Sequence, residues 1–524
     1  MRPRKWRVFC AARLMKRENE TYVVYGNPIK KSASSKIARR QKWLMRKFRY
    51  DPNEPYSLSL VNNEQLGDIF GLKDIVRHDQ GAPLENENAL ICSTIRMGYG
   101  HYRIALAGVS CANAMGFTPY WLDLLAIPGI TTDLIRYCNR NYSAFSRLSQ
   151  RWRPFDKYVW EAVTTGEPTI PVLSAILNSW IVAWPWRFLK TNVKDFTMSE
   201  LLHRLHQALP PDMPILTSHM WNCMAAVAGG MTNVVDMMFD NWPMAFQLTE
   251  GAKHGAQSPS GYYGFRAMRG FDEKNAILKP VPSEAIFYAG HHVDHELVEN
   301  VEVDCVARLR RMKNNEPRRI LLAMGGAGAQ RELFRAVIEH AIPRIKRDKL
   351  ALFVNLGDHK ANWDWLQAQL VGHNDLAQVH FTWEETRRYA DEIRAGEASG
   401  LHVFLFDNTL HAVYATNYLM RVVDVMITKP SELAFYPVPK IFNARVGGHE
   451  MWGAIRGAEI GDGTVEARSI PQTLQAIDLL AEEHDLLEMF CSSIVKNKSI
   501  GIYDGAYKCV EMATGRRFER GAPQ

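Results

Sequence analysis

Two glycine turns, each followed by residues able to do chemistry, stand more than two hundred positions apart in this chain of 524 residues. In the first, Gly98-Tyr99-Gly100 runs directly into His101, whose imidazole titrates near enough to neutrality to serve as a general base. In the second, Gly325-Gly326-Ala327-Gly328-Ala329-Gln330 precedes a helix-like segment. Such a turn brings free backbone N–H groups and the positive end of a helix to a phosphate. A third polar cluster, Thr428-Lys429-Pro430-Ser431-Glu432, is followed by Gly447-Gly448-His449-Glu450. A carboxylate such as Glu432 can accept both hydroxyls of a ribose, and paired glycines permit close approach of a phosphate or sugar. Plainer readings exist: His101 as a capping or core histidine, and Glu432 as a first-turn carboxylate favoured by the helix dipole.

The segments that must position these residues read as strand, turn and helix. Ala89 to Thr94 is an apolar run leading into Gly98, followed by a helix from Tyr102 to Met115 and a strand ending at Asp123. Arg319 to Met324 leads into Gly325, followed by a helix from Arg331 to about Ile345 and a strand from Leu350 to Leu356. Further strands are expected at Thr118 to Leu122, Pro214 to Ser218, His402 to Asp407, Val422 to Thr428 and Lys440 to Asn443. Apolar runs bounded by turn signals and alternating with helices imply parallel strands covered on both faces. As a dinucleotide fingerprint the first turn is incomplete. Gly98, Gly100 and a later Asp123 fit, but the third glycine position is Arg103, too large for a close helix–strand contact.

The net charge of +7 is unevenly placed. Residues 1–50 hold sixteen Lys or Arg against Glu18 and Glu20, a net of +14, which leaves −7 for the remainder. That arm can engage an anionic membrane surface or stay a solvated extension, and nucleic acid is not the expected partner. Within it, Tyr22 to Tyr25 reads as a strand and Lys36 to Phe48 as a helix. The eight cysteines are scattered with no C-x-x-C pair, as in a reducing, cytoplasmic compartment. No apolar stretch follows the first arginines as a signal peptide would require. Pro168 to Trp186 is uncharged and carries Trp180, Trp184 and Trp186, but its prolines and Asn178 suit a buried helix or interfacial patch better than a span. His291-His292-Val293-Asp294-His295-Glu296 has metal-ligand residue types without the second pair that structural zinc needs.

Taken in order, these motifs resemble the GT-B glycosyltransferases of the monogalactosyldiacylglycerol synthase and lipid II N-acetylglucosaminyltransferase type. Gly98-Tyr99-Gly100-His101 is similar to that family's G-x-G-H, Gly325 to Ala329 to its G-G-x-x-G-A turn, and Ile427 to Glu432 to its donor segment. Gly448-His449-Glu450 stands where the family has G-Q-E. The resemblance implies an α/β protein of two Rossmann-like domains facing a cleft, with a basic N-terminal extension. Its divisions would be 1–85 (extension and linker), 86–285 (acceptor domain), 286–470 (donor domain) and 471–524 (C-terminal helices).

The implied activity is inverting transfer of a sugar from a nucleotide diphosphate sugar, a UDP-sugar, to a lipid or membrane-proximal acceptor at the inner face of a membrane. No metal or other cofactor is implied. His101 and Asp240 are the catalytic candidates, with Asp236 and His254 as other cleft-facing bases. Gly98 and Gly100 would form the acceptor or phosphate loop. Gly325, Gly326, Gly328, Thr428, Lys429, Ser431, Glu432, Gly448, His449 and Glu450 would form the donor site. The loop from Lys429 to Glu432 is shorter than in the family and lacks its glycines. Two alternatives therefore stand beside the transferase: a non-catalytic binding or scaffold protein, and a nucleotide-sugar epimerase.

Overall fold

The computed structural model describes residues 17–137 and 199–518, apart from 19–20, 30, 52, 79–81, 85–86, 272–275 and 371, together with Arg140, Leu148 and Trp152. The first sixteen residues and the tryptophan-rich Pro168 to Trp186 stretch lie outside the described residues. At the N-terminal side, β1 (Arg17–Glu18), β2 (Thr21–Val24) and β3 (Asn27–Pro28) form a small antiparallel sheet. Helix α1 (Lys31–Lys47) follows. It buries Ile37 and Leu44 against the first domain, so its apolar side is already occupied. Its exposed side carries Lys31, Arg39, Lys42, Arg46 and Lys47, with Arg49 just beyond.

The first large sheet contains β4 (Leu58–Asn62), β5 (Lys73–Arg77), β6 (Ala89–Thr94), β7 (Thr118–Asp123), β8 (Ile215–Thr217), β9 (Val234–Met237), β10 (Lys253–Ala256) and β11 (Ile286–Tyr288). Their order is β11-β10-β9-β8-β6-β7-β5-β4, parallel except at the β4–β5 edge. This corrects two expectations. Residues 51–84 are more than a linker, because β4 and β5 extend the sheet with Leu60 and Ile75 buried and the short helix α2 (Gly67–Phe70) between them. The first sheet also runs past 285, since β11 pairs with β10.

The second sheet contains β12 (Arg318–Ala323), β13 (Leu350–Gly357), β14 (Ala377–His380), β15 (Gly400–Leu405), β16 (Val425–Thr428) and β17 (Lys440–Phe442), in the order β14-β15-β13-β12-β16-β17, parallel throughout. β6 and β12 are fully buried along their length, as strands covered on both faces must be. Each stands where the strand order reverses, β6 between β7 and β8, β12 between β13 and β16. At such switch points the loops leaving the C-terminal strand ends part and open a crevice. Both glycine turns leave the strands at these two points.

Helix α3 (Gly100–Ala114) packs its alanines between the two sheets and is buried from Gly100 to Ala112. Its Leu106 and Val109 belong to the same apolar cluster as Leu321, Val354 and Val413 of the second domain. The C-terminal helices Ile470–Glu482 and Asp485–Ser499 lie on the second domain, whereas Gly505–Thr514 crosses back onto α3 and the first sheet, burying Tyr507, Cys509 and Val510. The result is two Rossmann-like domains facing a cleft, the GT-B arrangement.

Candidate active site

The two glycine turns touch. A Cβ added at Gly326 would lie 2.7 Å from Gly98 Cα and 2.8 Å from Gly98 C, so only glycine lets the second turn reach the first. Gly98 itself has φ +114°, a conformation that other residues rarely adopt. Beside it Tyr99 donates to Asp358 Oδ1 (2.5 Å) and accepts from the Asp358 N–H (2.9 Å). Arg96 pairs with the other Asp358 oxygen, which also accepts from Thr409 (2.9 Å). Burial alone would raise the Asp358 carboxyl, but Tyr99, Arg96 and Thr409 together hold it below its ordinary value. This clasp and the turns fasten the domains at the C-terminal ends of β6 and β13.

His101 lies in the first turn of α3, 9% exposed, with His219 and Phe239 edge-to-face at 4.6 Å each. Its Nδ1 is 2.6 Å from the Ser218 carbonyl. A carbonyl only accepts, so Nδ1 carries the proton and Nε2 the lone pair that a general base requires. Burial lowers the His101 pKa, partly opposed by the Ser218 carbonyl and the negative charge of Glu432. Glu432 opens the short 3-10 turn Glu432–Phe435 after β16. Its side chain crosses to the first domain, and a Cβ at Gly100 would fall on its carboxylate. The expected ribose group therefore lies against the other turn, and its charge acts on both His101 and Asp240.

Asp240 follows β9. It accepts from Gln247 Nε2 (2.9 Å), and its Oδ1 is 4.0 Å from His449 Nε2 across the cleft. Burial pushes its carboxyl up to about 6; the His449 ring opposes this, while Glu432 and Glu450 reinforce it. An acid–base group poised near neutrality thus lies across the cleft from His449. Lys429 pairs with Glu450, whose other oxygen accepts the N–H groups of Val446 (2.7 Å) and Gly447 (3.2 Å). Burial would raise the Glu450 carboxyl, yet Lys429, His449 and the Val446 N–H keep it below its usual range. The Thr428 hydroxyl donates to the Lys429 carbonyl (3.2 Å), as does the Ser431 N–H (2.8 Å). Gly448, His449 and Glu450 form the 3-10 turn entering helix Met451–Glu459.

At the second turn Gly328 has φ +62° and packs under His359 and Asn362. His359 Nε2 donates to the Gly325 carbonyl (3.1 Å), and Asn362 to the Gly328 carbonyl (2.9 Å). The aliphatic part of Lys429 lies against Gly325. The following helix, Arg331–Ile345, starts with no side-chain cap at Gln330; its first backbone bonds run from the Leu333 and Phe334 N–H groups to the Gln330 carbonyl, which leaves those of Arg331 and Glu332 uncapped next to this turn. Cationic and N–H groups gather here, whereas the first turn faces a carboxylate.

Other candidates are placed elsewhere. Asp236 and His254 sit fully buried on β9 and β10 and cannot act as bases in the cleft. With Cys223 they form a group whose ligand atoms lie within 4.8 Å of one another. His254 Nδ1 donates to the Ala285 carbonyl and Nε2 accepts the Thr249 N–H, both at 3.0 Å, so neither nitrogen has a lone pair free for a metal. Asp123 accepts from Tyr102 and from the Leu125 N–H (2.8 Å), which accounts for it structurally.

His291 donates to the Phe435 carbonyl (2.9 Å) and accepts from Arg456 (3.2 Å). Asp294 accepts from Asn417 (2.9 Å) and Tyr436 (3.0 Å), and Glu296 from Ser110 (2.7 Å) and Tyr414 (3.1 Å). That segment ties the domains together. Arg103, which spoils the dinucleotide fingerprint, does the same by reaching Asn417, Thr416 and the Val413 carbonyl on helix Thr409–Met420. Sequence reasoning missed Arg96, Tyr99, His219 and Asp358. A polar pair closing strand β13 at Gly357, Asp358-His359, is the same signal that marked His101.

Residues 23–267 match a family model described as a domain of unknown function (DUF6937), and residues 281–514 match a second, also a domain of unknown function (DUF6938). No curated protein matches the chain. Among solved structures it is similar to UDP-GlcNAc 2-epimerase from Neisseria meningitidis bound to UDP-GlcNAc, at 10% identity over 82% of this chain and 100% of that one, with a TM-score of 0.41. A trehalose-phosphate synthase (UDP-forming) from Burkholderia vietnamiensis aligns at 10% identity over 71% and 83%, with a TM-score of 0.32. The UDP-GlcNAc 2-epimerase from Methanocaldococcus jannaschii aligns at 10% identity over 79% and 98%, with a TM-score of 0.33. Likeness at this level does not bear on activity.

Proposed function

We propose that this protein transfers a sugar, with inversion, from a nucleotide diphosphate sugar to an acceptor hydroxyl in the cleft between its domains. The observation that carries the reading is the contact of the two glycine turns, which brings the turn that precedes His101 against the turn best furnished for a diphosphate. The uncapped N–H groups after Gln330 and the backbone of Gly325, Gly326 and Gly328 would hold the phosphates. His101 Nε2 would take the acceptor proton as the hydroxyl oxygen attacks the anomeric carbon. The bond from that carbon to the phosphate oxygen breaks, and its electron pair leaves with the nucleotide. A UDP-sugar is the donor class suggested by the motif resemblance.

The acceptor is read as a lipid or membrane-proximal molecule. Support comes from α1, whose exposed side is basic without an acidic residue and presents Trp43 at 44% exposure. A basic face of this kind gains about 1 kcal/mol per engaged Lys or Arg on an anionic leaflet. The test of the main reading is calorimetric titration with UDP, GDP and their sugars, followed by turnover assays. Binding of one nucleotide, and its release from the matching nucleotide sugar in the presence of an acceptor lipid, is expected. Silence with all of them removes the reading in favour of a scaffold. Asp240, poised near neutrality and acted on by the same Glu432 as His101, supports a second reading, an epimerase. Solvent deuterium built into the recovered nucleotide sugar would select it.

A further inference from the structure

Glu432 occupies an unexpected place. It belongs to the second domain, yet its side chain lies on the backbone of Gly100 in the first, at the start of the helix that carries His101. Absence of a side chain at Gly100 is what makes the room. The other groups around the imidazole are accounted for: Nδ1 is spent on the Ser218 carbonyl, Phe239 and His219 close two sides, and His219 Nδ1 accepts the Trp221 N–H (3.0 Å). Glu432 is the negative charge that acts on His101. Asp240, on which the charge of Glu432 also acts, lies 4.0 Å from His449 Nε2.

We infer that Glu432 is a positioning residue for His101: a carboxylate supplied by the opposite domain that stabilises the imidazolium formed when Nε2 takes the acceptor proton. This rests on the transferase reading above and replaces the ribose contact with a role in proton transfer. The base would then be complete only when the two turns are in contact, so chemistry is tied to assembly of the cleft. The proton moves from the acceptor oxygen to Nε2, Nδ1 keeps its own proton on the Ser218 carbonyl, and Glu432 remains ionised throughout. An opposite charge nearby favours the protonated ring, while burial disfavours it.

The test compares wild-type protein with Glu432→Gln, which keeps the shape and removes the charge, and with Glu432→Asp, which keeps the charge on a shorter arm. First, the titration of the His101 ring is followed by NMR with histidine labelled at Cε1, assigned with His101→Gln. This measurement requires no substrate. The His101 midpoint should move to lower pH in Glu432→Gln and return towards the wild-type value in Glu432→Asp. Second, with the donor nucleotide found by calorimetry, Glu432→Gln should bind within about twofold of wild type while kcat falls at least tenfold and its acidic limb shifts to lower pH.

An unmoved ring titration overturns the inference whether or not any nucleotide binds. Tenfold weaker nucleotide binding with an unchanged pH profile also overturns it, and restores the ribose contact. If no nucleotide binds the wild-type protein, the transferase reading fails, and the ring titration still decides whether the two residues are coupled.

Discussion

Gly326→Ala tests whether contact between the two turns matters. The φ of Gly326 is not in the left-handed region, so alanine introduces no backbone strain of its own. The obstacle is the other domain: the new Cβ would stand 2.7 Å from Gly98 Cα, 2.8 Å from Gly98 C, and against the Tyr99 N–H. These are backbone atoms and cannot rotate away. Ordinary carbon contacts lie at about 3.5–4.0 Å, so the turns must part by about 1 Å. Misplacement of reacting groups by that amount costs about 100-fold in rate, close to 3 kcal/mol of barrier.

Each domain should keep its fold, and the variant should melt within a few degrees of wild type. Gly67→Ala is the control, because its Cβ would meet only the Leu72 carbonyl at an ordinary 3.5 Å. The assay is single-turnover chemistry with donor bound, alongside calorimetric donor affinity. A drop of about 100-fold in the chemical step, with affinity nearly intact and Gly67→Ala unaffected, is expected. Full turnover by a properly folded Gly326→Ala would refute the idea that the apposed turns form the reaction centre.

Three further outcomes are expected. Arg103→Met leaves Asn417 and the Val413 carbonyl without their buried donor, at about 1–3 kcal/mol each, and should lower the urea midpoint and speed cleavage between the domains by trypsin. Stability against pH should respond to Asp236, whose carboxyl burial raises to about 7, and to His254, whose ring burial lowers to about 4. Folded Asp236 keeps its proton where the unfolded chain has lost it, so it adds stability as pH falls through 7 towards 4. His254 stays neutral where the unfolded chain binds a proton, so it removes stability as pH falls from 6.5 towards 4. The two oppose each other. Asp236→Asn should therefore steepen the loss between pH 7.5 and 5 by about 2 kcal/mol in urea melts, and an unchanged slope would contradict the assignment. Charge reversal at Lys42, Arg46 and Lys47, on the exposed side of α1, should abolish sedimentation with phosphatidylserine vesicles without changing the melting point; equal pelleting would discard α1 as the docking face.

Much of the frame is legible in the chain because it rests on long apolar runs. β6 and β12, fully buried, could hardly be read as anything but central strands, and the glycines after them mark turns that side chains would obstruct. The edges are less legible. β4 and β5 are short, half exposed and surrounded by polar residues, so composition alone makes a linker of them until pairing with β7 is known. Single-residue roles fail for a different reason. Asp236 and His254 look reactive by type, but they stand in strands covered on both faces and their side chains are fully buried. Arg103 looks like a flaw in a glycine fingerprint until its partners, more than three hundred residues away, are in place. Glu432 illustrates this most fully. Its neighbours along the chain suggest a donor-side group, whereas the contact that gives it meaning is with a glycine of the other domain.

The apolar cluster that joins α3 to the second sheet has a consequence for how the molecule comes apart. Among the described residues one apolar cluster runs from α3 into the second sheet, and the last helix, Gly505–Thr514, returns to the first domain to complete it. Heating should therefore give one cooperative calorimetric transition rather than two. Neither half, cut near residue 275, would have a surface fit for solution, since the division would expose α3 on one piece and its partners on the other. The place where the two matched family segments meet is thus a join in sequence that one apolar cluster spans.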